Sequence, residues 1–525
     1  MPQPFYLTTA IDYTNGAPHI GHAYEKVLAD VIARYHRLQG EGVVFLTGVD
    51  QHGQKVQQSA EKAGVPPQQF VDEITAKFIA LWAKLDVRYD IWAATTDPLH
   101  KKCVQGILQR LYDEKQIYKD KQDGYYSIRQ EQFLTDKERG PDGEFGPEWG
   151  EVEHRVEENY YFRLAQHKEW LLDYLRAHPD CVTPDFRQTE LINAVEKLSG
   201  DLCISRPKSR LSWGIELPFD PDYVNFVWFD ALTNYISFAG YDPSLSTFNS
   251  QPSTFRDKWP ALHILGKDIL SPAHGIYWPI MLHALGFPDD QMPKFLAHGW
   301  WNISGAKMSK SLGNVVDPDA LADQYGAEAL RYYLMSDMAK GKDADFSEER
   351  LVGRYNADLA NSLGNLLNRA LNMATRFLDG KGLKFEPSDP ASRTIKGEAE
   401  EVTANFKSWA EKFGFDAGLS AAGCLTTRCN QIIDRDAPWK LAKDPSQLAK
   451  LSSLLYSLAE SLRIIAILIS PVLPKAAHGI FDQLNWKMEL SGKEARFSLG
   501  EAEWGQLPAG HMVGKPTPLF PRIET

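Results

Sequence analysis

Phe5-Tyr6-Leu7-Thr8-Thr9-Ala10, then Ile11-Asp12-Tyr13-Thr14-Asn15-Gly16-Ala17-Pro18, then His19-Ile20-Gly21-His22, reads as a strand, a turn and a helix start in unbroken succession. Pro18 fits the first helical position. Ile20, Tyr24, Val27, Val31, Tyr35 and Leu38 then follow at spacings of three and four, which marks one buried stripe. That order places two imidazoles and a glycine at a helix N-terminus, where backbone N–H groups and the positive dipole end favour phosphate, and Gly21 lets a ligand approach the backbone. A His-x-x-His taken alone is most often a pair of ordinary surface or capping histidines.

Outward from this unit, Val43-Val44-Phe45-Leu46-Thr47-Gly48-Val49-Asp50 reads as a second buried strand, and strand–helix–strand at this length is a parallel crossover. Asp50 ends it, so Asp50, Gln51 and His52 face the crevice of His19 and His22, at the sheet edge where open α/β folds bind ligands. Helical stretches around 66–85 and 98–116, with Ile91-Trp92-Ala93-Ala94 between them, complete the first half of a doubly wound, Rossmann-like domain over 1–116. Short alternating runs around a Gly/Pro/Glu-rich stretch at 139–158 make 117–225 an inserted α+β domain. The parallel-sheet pattern resumes over 226–323 with Phe226-Val227-Trp228-Phe229-Asp230, Ala261 to Gly266 and Lys294 to His298, and Asp317-Pro318 starts a helix. A linking segment, 324–350, leads to an α-helical bundle over 351–525, with a stripe of Leu351, Tyr355, Leu359, Leu363, Leu366 and Ala370, further helices near 396–414, 417–442 and 446–470, and an extended Gly/Pro-rich tail packed back on the body.

Nearly 290 residues after the first motif, Lys307-Met308-Ser309-Lys310-Ser311 lies in a Gly-flanked loop, between Ser304-Gly305-Ala306 and Leu312-Gly313-Asn314. Together the two motifs resemble the HIGH and KMSKS signatures of class I aminoacyl-tRNA synthetases, and across nearly the whole chain the resemblance is to the methionyl-tRNA synthetase family. Asn15-Gly16 before the histidines, Gly48-Val49-Asp50 before His52-Gly53, Val227 to Leu232 with Tyr235, and Gly266-Lys267-Asp268-Ile269 through His274 to Trp278-Pro279 are similar to family blocks. The stretch from Leu270 to Tyr277 is one residue longer than the family spacing. The resemblance implies methionine bound by Ile11, Tyr13, Asp50, Trp228, Ala231, Leu232, Tyr235, Ile269 and His274, with Asp50 on the ammonium. It implies ATP with Mg2+ held by His19, His22, Gly266, Asp268, Met308 and Lys310, catalytic roles for His19, His22, Lys307 and Lys310, and a loop that closes on ATP. Aromatic walls suit a polarisable thioether, and positioning with charge stabilisation suffices for displacement at a phosphate, with no enzyme nucleophile.

For RNA, the resemblance assigns anticodon reading of tRNA(Met), initiator included, to Asn365 and Arg369, four residues apart on one helical face, and to Trp439 in Asp436-Ala437-Pro438-Trp439, a stacking platform for an unpaired base. The family insertion often holds zinc through a Cys-x-x-Cys pair and later Cys and His ligands. Ser127, Gln130, Gly146 and Trp149 stand at those positions here, so no structural zinc is expected.

At 525 residues the chain suggests about three domains, and 43% hydrophobic with 24% charged residues is ordinary for a globular protein. Five scattered cysteines outline neither a disulfide framework nor a zinc knuckle, and are expected as buried thiols. A net charge of −12 neither announces RNA binding nor excludes it. No signal peptide and no uninterrupted apolar run of membrane length is evident, so a cytoplasmic location without membrane association is expected, and a monomer. Two other classes share part of this pattern. Class I synthetases for other aliphatic amino acids carry a larger editing insert than 117–225 accommodates, and a paralogue that only binds tRNA would not need His19, His22, Asp50 and Lys310 together.

Overall fold

The computed structural model describes residues 3–524 except 128–131, 135–138, 141, 304, 308–314, 379–381 and 487–496, with the side chains of 132, 133, 148, 306 and 307 also outside the description. A parallel sheet organises the first part of the chain. Its central strand β1 (Phe5–Thr9) lies between β2 (Val43–Asp50) and β4 (Leu262–Gly266). Beyond β2 come β3 (Ile91–Ala94) and the short Asp12–Tyr13, and beyond β4 comes β5 (Lys294–His298). Val182–Thr183, from within the stretch read as an insertion, closes the far edge on β5.

Strand geometry sends successive side chains to opposite faces, so each buried strand feeds two cores. Leu7 and Phe45 join one apolar cluster with helix α1 (Ile20–Leu38) and the C-terminal helices, while Tyr6 and Leu46 join the other, with Pro98–Asp113, α2 (Val227–Ser237) and Trp278–Ala284. At Gly48 any Cβ would lie 1.9 Å from the Ala93 carbonyl oxygen, which is why β2 and β3 can run this close.

Two expectations need correction. Phe226 to Asp230 is not a strand, because Val227–Ser237 is a helix buried along nearly its whole length. A run of four apolar residues, Phe226 to Phe229, does not distinguish a buried strand from a helix buried on all sides. Pro18 precedes the helix start, because His19 is the cap residue and α1 begins at Ile20.

The insertion centres on a long antiparallel hairpin, Ile117–Ser127 with Val152–Phe162, longer than the short runs read from sequence. Near its tip the Arg139 guanidinium lies 4.8 Å from the Tyr125 ring and 4.4 Å from the Phe145 ring, and its Nη1 donates to the Gly143 carbonyl at 2.7 Å.

From Glu348 to Gln483 the described residues are mainly helical, with α3 (Asn365–Phe377), Pro390–Ala410, α4 (Phe415–Asp436) and α5 (Leu448–Ile469) packed together. Residues Pro445–Ile469 are long and apolar enough by length and composition to cross a membrane, yet they form the buried axis of this bundle, with Glu460 and Arg463 paired at 2.6 Å in its middle. The tail returns as expected: Leu383 bridges His511, and Asn356 exchanges two hydrogen bonds with Ile523.

Arg331 joins the parallel-sheet and helical parts. Fully buried, it contacts Asp30 of α1 at 2.7 Å and donates to the carbonyls of Leu85, Pro471 and Val472. Burial would push the Asp30 carboxyl up, and the Arg331 and Arg34 guanidinium groups hold it below the usual carboxylate range. All five cysteines are free, and Cys424 is exposed where a buried thiol was expected.

Candidate active site

At the carboxyl ends of β1, β2 and β4 a cavity of about 490 Å³ opens. Its walls bring together residues far apart in the chain: Ile11, Tyr13 and Asp50 from the first half, Trp228, Ala231, Leu232 and Tyr235 from α2, and Gly266, Asp268, Ile269 and His274 from the segment after β4. His19, Gly21 and His22 line it from the start of α1.

The two histidines cap the helix themselves. The Gly21 N–H donates to His19 Nδ1 at 3.1 Å and the His19 N–H donates to His22 Nδ1 at 3.1 Å, a reciprocal cap of the kind Ser and Glu usually form, with the rings stacked 3.7 Å apart. Both imidazoles therefore accept through Nδ1 and carry their proton on Nε2. The capping and the phosphate readings of His-x-x-His are thus compatible, because the cap fixes the tautomer that donates.

Asp50 and its loop are tied from every side. The Asp50 carboxylate accepts from the His52 N–H at 3.3 Å and the Thr95 hydroxyl at 3.4 Å, Gln51 bonds Thr75 and Thr96, and the Trp213 indole donates to the Gln51 carbonyl at 2.5 Å. Gly53 has φ +107, and a Cβ there would sit 2.6 Å from the Tyr13 hydroxyl, so only glycine lets this loop support Tyr13.

The segment before His274 forms a wide, π-type turn, Leu270–Tyr277, broken at Ser271. That geometry brings His274 to the cavity wall, where Nδ1 donates to the Ile269 carbonyl at 2.9 Å and Nε2 accepts from the Tyr235 hydroxyl at 2.8 Å. Burial lowers the His274 imidazole to about 4 and pushes the Tyr235 phenol well up, so both are neutral near pH 7.

Sequence reasoning missed a buried ionic cluster at the same wall. Lys26 Nζ donates to the Ala10 carbonyl at 2.9 Å, to Asp12 Oδ1 at 2.6 Å and to Glu25 Oε1 at 2.9 Å, and Glu25 Oε2 meets His298 Nε2 at 3.0 Å. Asp12, Glu25 and His298 line the cavity. Burial raises the Asp12 carboxyl to about 7 despite Lys26, whereas Glu25, equally buried, is held below its ordinary value by Lys26 and His298 together. Asp12 faces the Glu25 carboxylate as well as Lys26, whereas Glu25 has both Lys26 and His298 as hydrogen-bond partners. A Glu-Lys pair, Glu25-Lys26, directly between the stripe residues Tyr24 and Val27 was the available signal.

The second motif converges on the first through its flanks. The Ile20 N–H donates to the Val316 carbonyl at 3.2 Å and the Gly305 N–H to Asp345 Oδ1 at 2.8 Å, while Trp301, just upstream, lines the cavity. Lys307 pairs in backbone register with Asn302, its side chain outside the description, and Met308 and Lys310 lie outside the described residues. Asp268 Oδ1 accepts from the Trp300 indole at 3.0 Å.

In the helical part, Asn365 is exposed at the start of α3, Arg369 donates to Asp434 Oδ1 at 2.5 Å, and Trp439, 42% exposed, lies on the short helix Pro438–Leu441, which touches α3. In the insertion, Ser127 donates to the Trp149 carbonyl at 2.5 Å. A serine hydroxyl, Gly146 and an indole do not form a zinc donor set, and Gln130 lies outside the described residues.

The model of the family "tRNA synthetases class I (M)" matches residues 5–142 and 149–371. The chain belongs to the class I methionyl-tRNA synthetases. It is 40% identical to a methionine--tRNA ligase of Lactococcus lactis over 99% of this chain and 78% of that protein, and 40% identical to one of Thermosynechococcus vestitus over 100% and 98%. Among solved structures, Mycobacterium tuberculosis methionyl-tRNA synthetase in complex with methionyl-adenylate superposes with a TM-score of 0.90 at 36% identity, covering 99% of this chain and 100% of that one. The apo form of that synthetase gives 0.83 at 33% identity. The parallel-sheet synthetase body and the helical region read from the sequence are those of this family.

Proposed function

We propose that the chain ligates L-methionine to tRNA(Met) in two steps at the cavity described above. A methionine carboxylate oxygen attacks the α-phosphate of Mg-ATP, the bond to the β-phosphate bridge breaks, and pyrophosphate leaves. A hydroxyl at the tRNA 3′ end then attacks the adenylate carbonyl and AMP leaves. Asp50 takes the methionine ammonium, the aromatic walls of Tyr13, Trp228 and Tyr235 take the thioether, and Ile11, Ala231, Leu232, Ile269 and neutral His274 complete the pocket. His19 and His22 donate to the phosphates, Gly266 and Asp268 hold the nucleotide, and Lys310, with Met308 beside it and Lys307 assisting, meets the charge that develops on displacement.

The observation that supports this reading is convergence: nine positions read as methionine-binding and four as ATP-binding from four separate stretches of sequence line one cavity of a size suited to a small molecule. In the helical domain, Asn365, Arg369 and Trp439 read the anticodon. The enzyme acts as a cytoplasmic monomer. Pyrophosphate exchange with each of the twenty amino acids tests the first step. Methionine-dependent exchange is expected, and exchange driven by another amino acid, or none, overturns it.

A further inference from the structure

Behind the proposed methionine pocket one carboxylate is clamped between two imidazoles. Asp230 is in the first turn of α2, on the helix that carries Trp228 and Tyr235 to the cavity. His52 Nδ1 donates to Asp230 Oδ2 at 2.6 Å, and His100 Nε2 donates to Oδ1 at 2.7 Å. A carboxylate only accepts, so each of those ring nitrogens carries its proton, and His100 Nδ1 takes the Ser237 hydroxyl at 2.8 Å, one face of the same helix further on. All three members of the clamp are buried. Burial would raise the Asp230 carboxyl, yet His52 and His100 hold it at about 2, so it is ionised at every working pH.

The clamp joins three elements that share no other polar side-chain bridge of this kind among the described residues. His52 follows Asp50 by two positions, His100 belongs to Pro98–Asp113, and Asp230 and Ser237 belong to α2. Asp50 and Trp228 take opposite ends of the proposed ligand, ammonium and thioether, and His52 and Asp230, each two residues further along its own segment, tie the two segments together by one bond of 2.6 Å.

We propose that His100 is a positioning residue for amino-acid selection: by holding Asp230 Oδ1 and the Ser237 hydroxyl it orients the Asp230 carboxylate so that Oδ2 stays on His52, and through that bond it fixes the spacing between the Asp50 loop and the helix bearing Trp228 and Tyr235. The inference rests on the reading of this cavity as the methionine site. A ruler of this kind acts on methionine and leaves ATP alone, because His100 reaches neither α1 nor the segment after β4 by any hydrogen bond described.

The test is pyrophosphate exchange by the full chain carrying His100→Ala, His100→Gln or Ser237→Ala, each checked for native circular dichroism. For His100→Ala the KM for methionine rises about tenfold or more, the KM for ATP stays within twofold, and discrimination against norleucine falls by a similar factor. His100→Gln, whose amide nitrogen can donate to Asp230 as Nε2 does, recovers most of the loss. A merely structural role lowers the active fraction, and with it kcat, without separating the two KM values. If folded His100→Ala binds methionine as the wild type does, or both KM values rise together, the proposal falls. If His100→Ala does not fold, Ser237→Ala decides, with a rise of threefold or more in the methionine KM alone supporting it and no change overturning it. Wild-type protein without methionine-dependent exchange refutes the site reading itself, whereas methionine-dependent wild type with unaltered variants refutes only the ruler.

Discussion

Lys26→Met replaces a buried ammonium with an apolar side chain of similar length and leaves Asp12 and Glu25 facing each other without their shared cation. Removing one partner of a buried ion pair typically costs about 3–5 kcal/mol, because the remaining charge is neither solvated nor paired. The pH dependence gives a sharper signature. Asp12 is raised from its ordinary 3.8 to about 7 in the folded chain, so its contribution to stability is full below pH 3.8, declines as pH rises, and is lost once pH passes about 7. Without Lys26 the folded-state value moves higher, so the variant keeps losing stability above pH 7 where the wild type has finished doing so. For one proton the slope is at most about 1.36 kcal/mol per pH unit, hence a further loss of up to about 2.7 kcal/mol between pH 7 and pH 9. Urea unfolding of both proteins at the two pH values, followed at the first transition because a multidomain chain need not unfold in one step, measures the difference. A loss under about 1 kcal/mol at pH 7, or one that shrinks towards pH 9, refutes the picture of Lys26 as the buried cation shared by Asp12 and Glu25.

Lys310→Ala is expected to leave methionine binding nearly unchanged and slow adenylate formation by about 10²–10³, the size of one lost transition-state charge contact; an unchanged exchange rate refutes its role. Trp439→Ala removes a stacking platform worth roughly 1–3 kcal/mol per base, so tRNA charging at subsaturating tRNA falls while exchange survives, and Asn365→Ala and Arg369→Ala behave alike. Wild-type charging by Trp439→Ala means the helical domain does not read the anticodon. In the insertion, Arg139→Ala removes the guanidinium between Tyr125 and Phe145, and faster proteolysis of the hairpin tip, with no rescue by added zinc, is the expected result. Elemental analysis finding stoichiometric zinc refutes a metal-free tip.

Local signals carried a good part of the fold because they are periodic or positional. The strands Val43–Asp50 and Lys294–His298 and the helix after Asp317-Pro318 lie where alternation, apolar runs and caps put them. Helix α2 did not, since a segment buried on all sides has no polar face to betray its period. The cavity-lining residues named in advance are those that belong to recurring motifs. The Asp12–Lys26–Glu25–His298 cluster and the His52–Asp230–His100 clamp are made by packing between segments up to 273 residues apart, and nothing local in the sequence encodes such a meeting. Sequence position alone also gave no hint that Val182–Thr183 would leave its neighbours to edge the catalytic sheet.

The buried guanidinium of Arg331 bears on how divisible the chain is. Its acceptors come from α1, from the end of Pro67–Lys84 and from the Pro471-Val472 turn, and no two of these belong to the same stretch of sequence. Cutting the chain before the helical bundle would strand two of its donors in an apolar interior and leave bare the core that α1 shares with α5. The unit of folding on that side of the sheet is therefore larger than the unit that surrounds the cavity: the parallel-sheet part has no boundary of its own there, and any force applied to the bundle is delivered to the same helix that His19 caps and that carries His22 in its first turn.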